Sequence, residues 1–480
     1  MKTQLNYIRD NGIVTEVFLL IWVVLIVSAD LKITMFNKVH WVVSLLFLLP
    51  VFLLNYKKMG NNKSVVSLLI PSILLISSIL ISSFYSQNYL YDFFQAGKVA
   101  VILIICYLFF LVRSELAHLA FKGFIISAYM NVIILVLGVL SFTQLASIMT
   151  LDGRWGTFLN YPGSLSKVGV VVYVYAAFQL FNRTALSISN IMLLIASVFI
   201  VYFDGSRTSE ISLLLGTIFL FIILLVEYMK NISRPKFSSM VVSVLVLALV
   251  FSVAKVSVDK ITLSIETKRA IELAKIEAAK EAELAKQKPV QPSTDSNSVK
   301  QEEVSTPPIE VPTSDELKQS NDRTGSVFAS ISTNGILAGI ASSDPIRFQM
   351  IITAVDAIVS HPWIGQGIGT TKYQTASGPI VVHNAYLQTW ADLGILGLLA
   401  LLGLYFGWML KLPTVMRNIQ SSMNVKERSL YYNSIFILLY MPFSALFHPL
   451  STEWSEWIMF IIASAIYWGC AKRKEVPVHG

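Results

Sequence analysis

The chain contains 480 residues, of which 55% are apolar and 14% are charged, and its formal net charge is +8. Soluble globular chains usually carry charge on about a quarter of their residues. The charges are also unevenly spread, because residues 259–323 hold 23 of the 66 charged side chains. The remaining residues have too few charged side chains to form the surface of a water-soluble globular protein. This composition excludes the soluble enzyme classes and predicts a polytopic membrane protein with one solvated insert.

Twelve apolar runs are long enough to cross about 30 Å of hydrocarbon, which predicts an all-α fold: a membrane bundle of about 12 transmembrane helices. The first run lacks a small-residue cleavage site and precedes eleven others, so we interpret it as an anchor and not as a signal peptide. Nine runs fall within residues 1–256 and three within 384–480. The runs are 13–29, 39–55, 64–83, 97–113, 121–145, 163–181, 188–204, 209–228, 237–256, 384–410, 429–447 and 454–470.

Lysine and arginine are concentrated in alternate short segments between these runs. If the N-terminus is inside, the inner short segments hold 18 of these residues and the outer ones hold 6. The positive-inside rule then predicts that both termini face the cytoplasm. The same reasoning puts the long segment 257–345 on the outer side of the membrane.

The outer insert 257–345 has two parts of different composition. Residues 266–288 are rich in Ala, Glu and Lys, with charge pairs that favour a solvated helix. Residues 289–322 contain five prolines and almost no large apolar side chains, which predicts disorder. We interpret the insert as a spacer.

Four cations lie on the predicted outer side, where the positive-inside rule should deplete them. Each could be a snorkelling side chain or a helix-end ion pair, as Asp204 and Glu210 near Arg207 illustrate. Together they favour an anionic ligand at the outer leaflet, and guanidinium groups suit phosphate because their planar fork binds two oxygens. The four cations are Arg154, Lys167, Arg207 and Arg347.

Residues 346–383 begin with an apolar stretch that we interpret as an amphipathic helix at the outer surface. A glycine-rich turn, HPWIGQGIGTTKY, follows it. This turn is not a nucleotide loop, since it lacks the Gly-Lys-Ser/Thr ending and an upstream strand. We interpret His361-Pro362 as turn residues.

The tenth predicted span begins at His383-Asn384. His383, Tyr386, Trp390 and Gly394 fall on one helical stripe, and further glycines continue it as a small-residue seam on which a neighbouring helix can pack. Histidine can accept a proton near neutral pH, so His383 is a candidate general base. The alternative is a helix-start histidine bonded to the backbone.

Candidate sugar-binding groups lie near the predicted outer surface after the eleventh span, in FHPLSTEWSEW. Glu453 and Trp454, with Asn384 beside the candidate base, are the acceptor-binding candidates. An interfacial aromatic belt explains the tryptophans equally well. The two cysteines, Cys106 and Cys470, offer neither a disulfide framework nor a Cys-rich metal site.

These motifs resemble those of the O-antigen ligase superfamily, which also contains O-antigen and capsule-type polysaccharide polymerases. The shared pattern is His-Asn, nine residues, Gly, two residues, Gly, and here it starts at His383. Upstream stand Arg347, an apolar helix and His361-Pro-x-x-Gly-x-Gly, and Ser206-Arg207 matches a Ser-Arg pair at an outer helix end. The resemblance covers most of 120–470. The insert is the departure from the family pattern.

The resemblance implies transfer of a glycan from an undecaprenyl diphosphate carrier to an acceptor hydroxyl, outside the cytoplasmic membrane. Arg207 and Arg347, with Arg154 or Lys167, would stabilise the leaving diphosphate. His383 would activate the acceptor in one inverting displacement. We expect no metal and no other cofactor, because arginines would replace the metal. The implied partners are the lipid-linked donor, a glycan or lipid-linked acceptor and polysaccharide assembly proteins, with no nucleic acid.

Three alternatives remain open at this point. A polymerase and a ligase differ only in the acceptor, and no residue decides between them. A transporter or flippase of lipid-linked sugars would favour ionisable residues at the midplane, where Asp392 is the main one. A scaffold that displays the insert would leave the cations and His383 without a purpose.

Overall fold

A computed structural model gives the fold of this protein. It describes residues 2–27, 46–48, 50, 66–86, 89–101, 114–139, 147–149, 154–157, 159–160, 162–182, 187–230, 237–287, 344–375, 378–419, 423–449 and 454–471.

The described residues are mostly helical. A short 3₁₀ segment at Gly407–Lys411 joins helices α10 and α11. The helices are α1 Lys2–Val27, α2 Val66–Ser83, α3 Tyr89–Val101, α4 Ser114–Val139, α5 Leu165–Asn182, α6 Ile188–Asp204, α7 Arg207–Met229, α8 Phe237–Gln287, α9 Pro345–Ser360, α10 Ala385–Phe406, α11 Leu412–Asn418, α12 Val425–Ser444 and α13 Trp454–Ala471.

Among the described residues, five helices are long and apolar enough to cross a membrane by length and composition, within α4, α5, α7, α8 and the stretch from α10 to α11. Shorter apolar helices occur in α1, α2, α6 and α13. The coarse prediction of a helical membrane protein is therefore confirmed. The number of twelve spans stays a prediction.

Two small antiparallel hairpins interrupt the helices, and the all-α prediction did not include them. Strand β1, Ser147–Met149, pairs with β2, Trp155–Thr157, and β3, Lys372–Thr375, pairs with β4, Gly378–Val381. In the second hairpin Lys372 lies opposite Val381 and Thr375 lies opposite Gly378. This hairpin links the glycine-rich turn to the start of α10.

The chain forms two compact units, residues 1–259 with 349–480, and residues 260–348. In the first unit α5 is the central helix, since all its residues except Tyr175 and Asn182 are buried. It packs against α4, α6, α7 and α12. Aromatic contacts fill this core, including Phe121 against Tyr175 and Phe178 against Tyr432.

Two buried ion pairs connect helices of the first unit near the helix ends. Lys167 at the start of α5 pairs with Glu456 in the first turn of α13, and both side chains are buried. Glu227 near the end of α7 forms an ion pair with Arg428 on α12, whose Nε lies 2.8 Å from its carboxylate, and accepts from the Tyr432 hydroxyl at 3.1 Å. Buried charges persist only when they are paired, so each pair fixes the relative position of two helices.

The predicted charged segment 266–288 falls on α8, which is one helix from Phe237 to Gln287. The predicted disordered tract 289–322 lies outside the described residues. The division of the chain into nine spans, an insert, an outer helix with a turn, and three spans therefore stays a prediction.

Candidate active site

His383 lies in the turn between β4 and α10, and its side chain is half-buried. Its Nδ1 atom is 2.8 Å from the carbonyl oxygen of Val381. A carbonyl oxygen can only accept, so Nδ1 must carry the hydrogen, which leaves the lone pair on Nε2. A histidine held in this tautomer can take a proton through Nε2, as a general base must.

Asn384 fixes the start of α10. Its side-chain oxygen accepts from the amide of Leu387 at 3.0 Å, and its side-chain nitrogen donates to the carbonyl of Leu446 at 3.3 Å. The amide of Ala385 donates to the carbonyl of Ala445 at 2.8 Å. The His383 turn is therefore attached to the end of α12, and the proposed acceptor contact of Asn384 stays a prediction.

The glycine-rich turn that follows His361 meets the Gly394 motif at a kink in α10. Gly394 has φ 70° and ψ −173°, which interrupts the helix. The amide of Ile395, which would otherwise bond to Ala391, donates to the carbonyl of Pro362 at 3.0 Å. The carbonyl of Ala391 accepts instead from Gln366 at 3.2 Å. The glycine-rich turn thus satisfies the backbone groups that the kink leaves open.

Asp392, on the same kink, is fully buried, and its carboxylate holds the glycine-rich turn. One oxygen accepts from the amide of Gly369 at 2.7 Å and from the Gln388 side chain at 3.2 Å. The other accepts from the amide and the hydroxyl of Thr371 at 3.0 and 2.6 Å. The Asp392 carboxylate, which the sequence suggested as the main midplane charge for a transporter, therefore has a structural function.

We expect Gly394→Ala to destabilise the protein by about 3 kcal/mol or more, because its backbone conformation is accessible almost only to glycine and the new methyl would clash. A Cβ atom there would stand 2.2 Å from the carbonyl oxygen of Trp363. Thermal unfolding in detergent measures the effect. Gly407→Ala is the matched control, since a Cβ atom there would have no described atom within 4 Å beyond its chain neighbours and its own helix backbone, and it should change stability little. Equal unfolding midpoints for the two variants would contradict this account of the kink.

The Ser-Arg pair lies at the turn between α6 and α7. Gly205 closes α6 in the left-handed conformation, Ser206 is the N-cap of α7, and Arg207 is the first residue of α7. Arg207 is exposed. Asp204 pairs with Arg154, and Glu210 lies 3.8 Å from Lys255. Among the residues that the structure describes, Arg207 therefore has no acidic partner and can receive an external anion.

Arg154, the residue before β2, contacts the same turn through Asp204. It donates through Nε to the Asp204 carbonyl at 3.0 Å and through a terminal nitrogen to the Asp204 carboxylate at 2.8 Å. The buried carboxylate also accepts from the amides of Gly163 and Ser166 at 2.7–2.9 Å. About a third of the Arg154 side chain stays exposed. A contact between Arg154 and the donor stays a prediction.

The other predicted site residues have different surroundings. Lys167 is buried in its pair with Glu456. Arg347 is the third residue of α9 and belongs to the unit 260–348, where its exposed side chain lies 3.2 Å from Asp344. Glu453 lies outside the described residues, and so does the side chain of Trp454, whose backbone begins α13. The grouping of these residues with His383 therefore stays a prediction.

An apolar groove of about 290 Å³ lies between α7 and α12. The last α12 residue that lines the groove is Phe443. It stands two positions before Ala445, whose carbonyl accepts from Ala385 beside His383. Its α7 wall begins five residues after Arg207. The α7/α12 groove is lined by Ser212, Leu215, Ile218, Phe219, Ile222, Phe436, Leu439, Tyr440 and Phe443.

Several of these features could not be read from single motifs. The strand pair that holds His383 had one sequence signal, the Thr, Tyr and Val enrichment around Ser-Gly in TKYQTASGPIVV. The contact of Asp392 with Gly369 and Thr371 and the pair of Arg154 with Asp204 are tertiary and carried no local signal. Within the described ranges, no three His, Cys, Asp or Glu side chains come together as metal ligands. Independence from metal stays a prediction.

Comparison with known proteins gives a family match for part of the chain. No curated protein matched the chain. The family model described as O-Antigen ligase matches residues 192–402, a region that contains Arg207, Arg347, the glycine-rich turn, His383 and the kink at Gly394. The resemblance to the O-antigen ligase superfamily of bacterial membrane proteins, predicted from the motifs, is thereby confirmed over residues 192–402.

Proposed function

We propose that this protein transfers a glycan from an undecaprenyl-diphosphate-linked donor to an acceptor hydroxyl on the outer side of the cytoplasmic membrane. It would act as a cell-surface or capsule-type polysaccharide polymerase or as an O-antigen-ligase-like enzyme. The family match supports glycan transfer of this general kind. The observation that carries the proposal is the bond from His383 Nδ1 to the Val381 carbonyl, because it leaves Nε2 available to the acceptor.

The reaction is one inverting displacement at the anomeric carbon. Nε2 of His383 accepts the proton of the acceptor hydroxyl while the acceptor oxygen bonds to that carbon. The bond to the diphosphate oxygen breaks, and its electron pair leaves with the diphosphate. Arg207 and Arg347 stabilise the charge that develops there, with Arg154 as a further candidate, so the step needs no metal.

The α7/α12 groove is suited to binding the apolar chain of a polyisoprenyl carrier. Arg207 and Ile218 are eleven residues apart, about three turns, and so lie on the same face of α7. From Arg207 to Ile222 the helix rises roughly 22 Å, most of the hydrocarbon thickness of a bilayer. A carrier with its diphosphate at Arg207 could lay its apolar chain along this groove, which shares the end of α12 with the His383 turn.

The transporter alternative gains no support from Asp392, whose carboxylate accepts hydrogen bonds from the glycine-rich turn and from Gln388 on α10. The outward location of the site and the cytoplasmic location of both termini rest on the distribution of Lys and Arg. The choice between polymerase and ligase depends on the acceptor. Polysaccharide assembly proteins are the partners that we propose.

Purified protein in nanodiscs, given a diphosphate-linked glycan donor in the presence of a chelator, tests the proposal. We expect release of free undecaprenyl diphosphate together with a new glycosidic bond. Longer glycans from donor alone would identify a polymerase, and a product that requires a second acceptor would identify a ligase. In sealed proteoliposomes, movement of the donor across the bilayer without a new glycosidic bond would contradict the proposal.

A further inference from the structure

A cleft of about 840 Å³ lies against the glycine-rich turn, within the size range of ligand sites. One wall comes from the end of α2 and the start of α3, where the cleft is lined by Tyr85, Ser86, Tyr91 and Asp92. The opposite wall is the glycine-rich turn itself. The cleft contains none of the residues that the sequence suggested for the acceptor, and the proposed mechanism does not use it.

We propose that this cleft binds sugar residues of the glycan chain, as a subsite beside the reacting centre. The inference deepens the proposed function and rests on it for the identity of the glycan. Sugars present hydroxyl groups that both donate and accept, together with apolar C–H faces. A site for them therefore combines aromatic rings with mixed hydrogen-bonding groups and little net charge.

The chemistry of the cleft fits this description. Tyr85 and Tyr91 are 64% and 50% exposed, so their rings are available for stacking. Gln366 and Lys372 supply donors from the other wall, and the buried Asp92 supplies a carboxylate. Burial raises the pKa of the Asp92 carboxyl, and the neighbouring Ser86 hydroxyl opposes that shift. One lysine facing one carboxylate suits a neutral ligand better than a phosphate.

The wall formed by the turn is held in place before any ligand arrives. The amide of Gly367 donates to the Asp392 carbonyl at 2.9 Å, and the Asp392 carboxylate holds Gly369 and Thr371. Gly367, with φ +105°, also touches the other wall, since a Cβ there would stand 2.6 Å from the Asp92 carboxylate. The two walls thus meet at a residue without a side chain, and little ordering is needed on binding.

The cleft is linked to His383 through the second hairpin. Lys372 lines the cleft and lies opposite Val381, whose carbonyl accepts from His383. Strand geometry separates the Cα atoms of Lys372 and His383 by roughly 12 Å or less. A glycan whose terminal sugar reacts at His383 can therefore extend its next residues into the cleft.

Binding of the free glycan tests the inference independently of turnover. The probe is the reducing oligosaccharide released by mild acid from the cell's own lipid-linked donor, without carrier or phosphate. Tyr91→Ala and Tyr85→Ala should each weaken its binding by about tenfold, the loss of one aromatic contact. Tyr89→Ala is the matched control, because Tyr89 is 58% exposed on the same helix but does not line the cleft, and it should bind as the wild type does.

Turnover assays of the same variants identify the source of the glycan. A higher KM for the acceptor alone would assign the cleft to the acceptor, and a higher KM for the donor alone would assign it to the donor chain. Wild-type binding by folded Tyr91→Ala and Tyr85→Ala, or displacement of the glycan by inorganic pyrophosphate, would overturn the inference. Glycan binding that depends on Tyr91, in a protein that forms no glycosidic bond, would support the cleft while refuting the proposed transfer.

Discussion

Replacing His383 with alanine should lower turnover of the diphosphate-linked donor by at least about 100-fold, the usual contribution of a general base. The reason is that the acceptor hydroxyl loses the Nε2 atom that takes its proton. The imidazole contacts the backbone through Nδ1, which lies 2.8 Å from the Val381 carbonyl oxygen. Its removal should therefore change catalysis much more than stability. Initial rates and the thermal unfolding midpoint are the two measurements.

His383→Gln separates a base from a structural histidine. Glutamine keeps a side-chain N–H that can donate to the backbone, but it cannot accept a proton near neutral pH. We expect an unfolding midpoint close to that of the wild type and a rate as low as that of His383→Ala. A glutamine variant that turns over donor at the wild-type rate would show that His383 only caps the turn.

Replacing Arg207 with alanine should lower kcat by about 10²–10³, the loss expected when a group that stabilises developing charge is removed. Arg207→Lys should give an intermediate rate, because the positive charge remains while the two-pronged geometry is lost. Arg207 is exposed at the start of α7, so neither change should disturb the core. Single-turnover rates with saturating donor measure the effect.

Lys255→Ala is the matched control for Arg207. Lys255 is also a cation near the start of α7, but it lies 3.8 Å from Glu210 and 3.6 Å from Asp259. We expect its rate to stay within about twofold of the wild type, as for other surface ion pairs of small energy. Equal losses in the two variants would mean that total charge matters, and not the position of Arg207.

The helical part of the fold could be predicted well where an apolar run is bounded by turn residues. The predicted run 188–204 coincides with α6, because Asp204-Gly205 ends it, and the run 209–228 falls within α7. The run 13–29 gave only part of α1, which begins at Lys2, since polar residues can continue a helix beyond its apolar stretch. Hydropathy reports burial and does not report helix ends.

The candidate site was predicted as residue types and not as contacts. The sequence identified His383 as a candidate base, but its usable tautomer depends on a carbonyl that a short hairpin supplies. It grouped Arg154 with Arg207, and it could not show that Arg154 is hydrogen-bonded to Asp204, fifty residues along the chain and three residues before Arg207. The sequence did not identify Tyr85 and Tyr91 as site residues, because only tertiary folding brings them to the glycine-rich turn. Contacts of this kind have no local periodicity to reveal them.

The central claim is that a guanidinium holds the donor diphosphate while one imidazole activates the acceptor. A cryo-electron microscopy map of the protein with a non-hydrolysable diphosphate-linked donor tests it most directly. We predict diphosphate oxygens at hydrogen-bond distance, about 3 Å, from the Arg207 guanidinium, with the anomeric carbon facing Nε2 of His383. A diphosphate bound away from Arg207, or an anomeric carbon that Nε2 of His383 does not face, would contradict the claim.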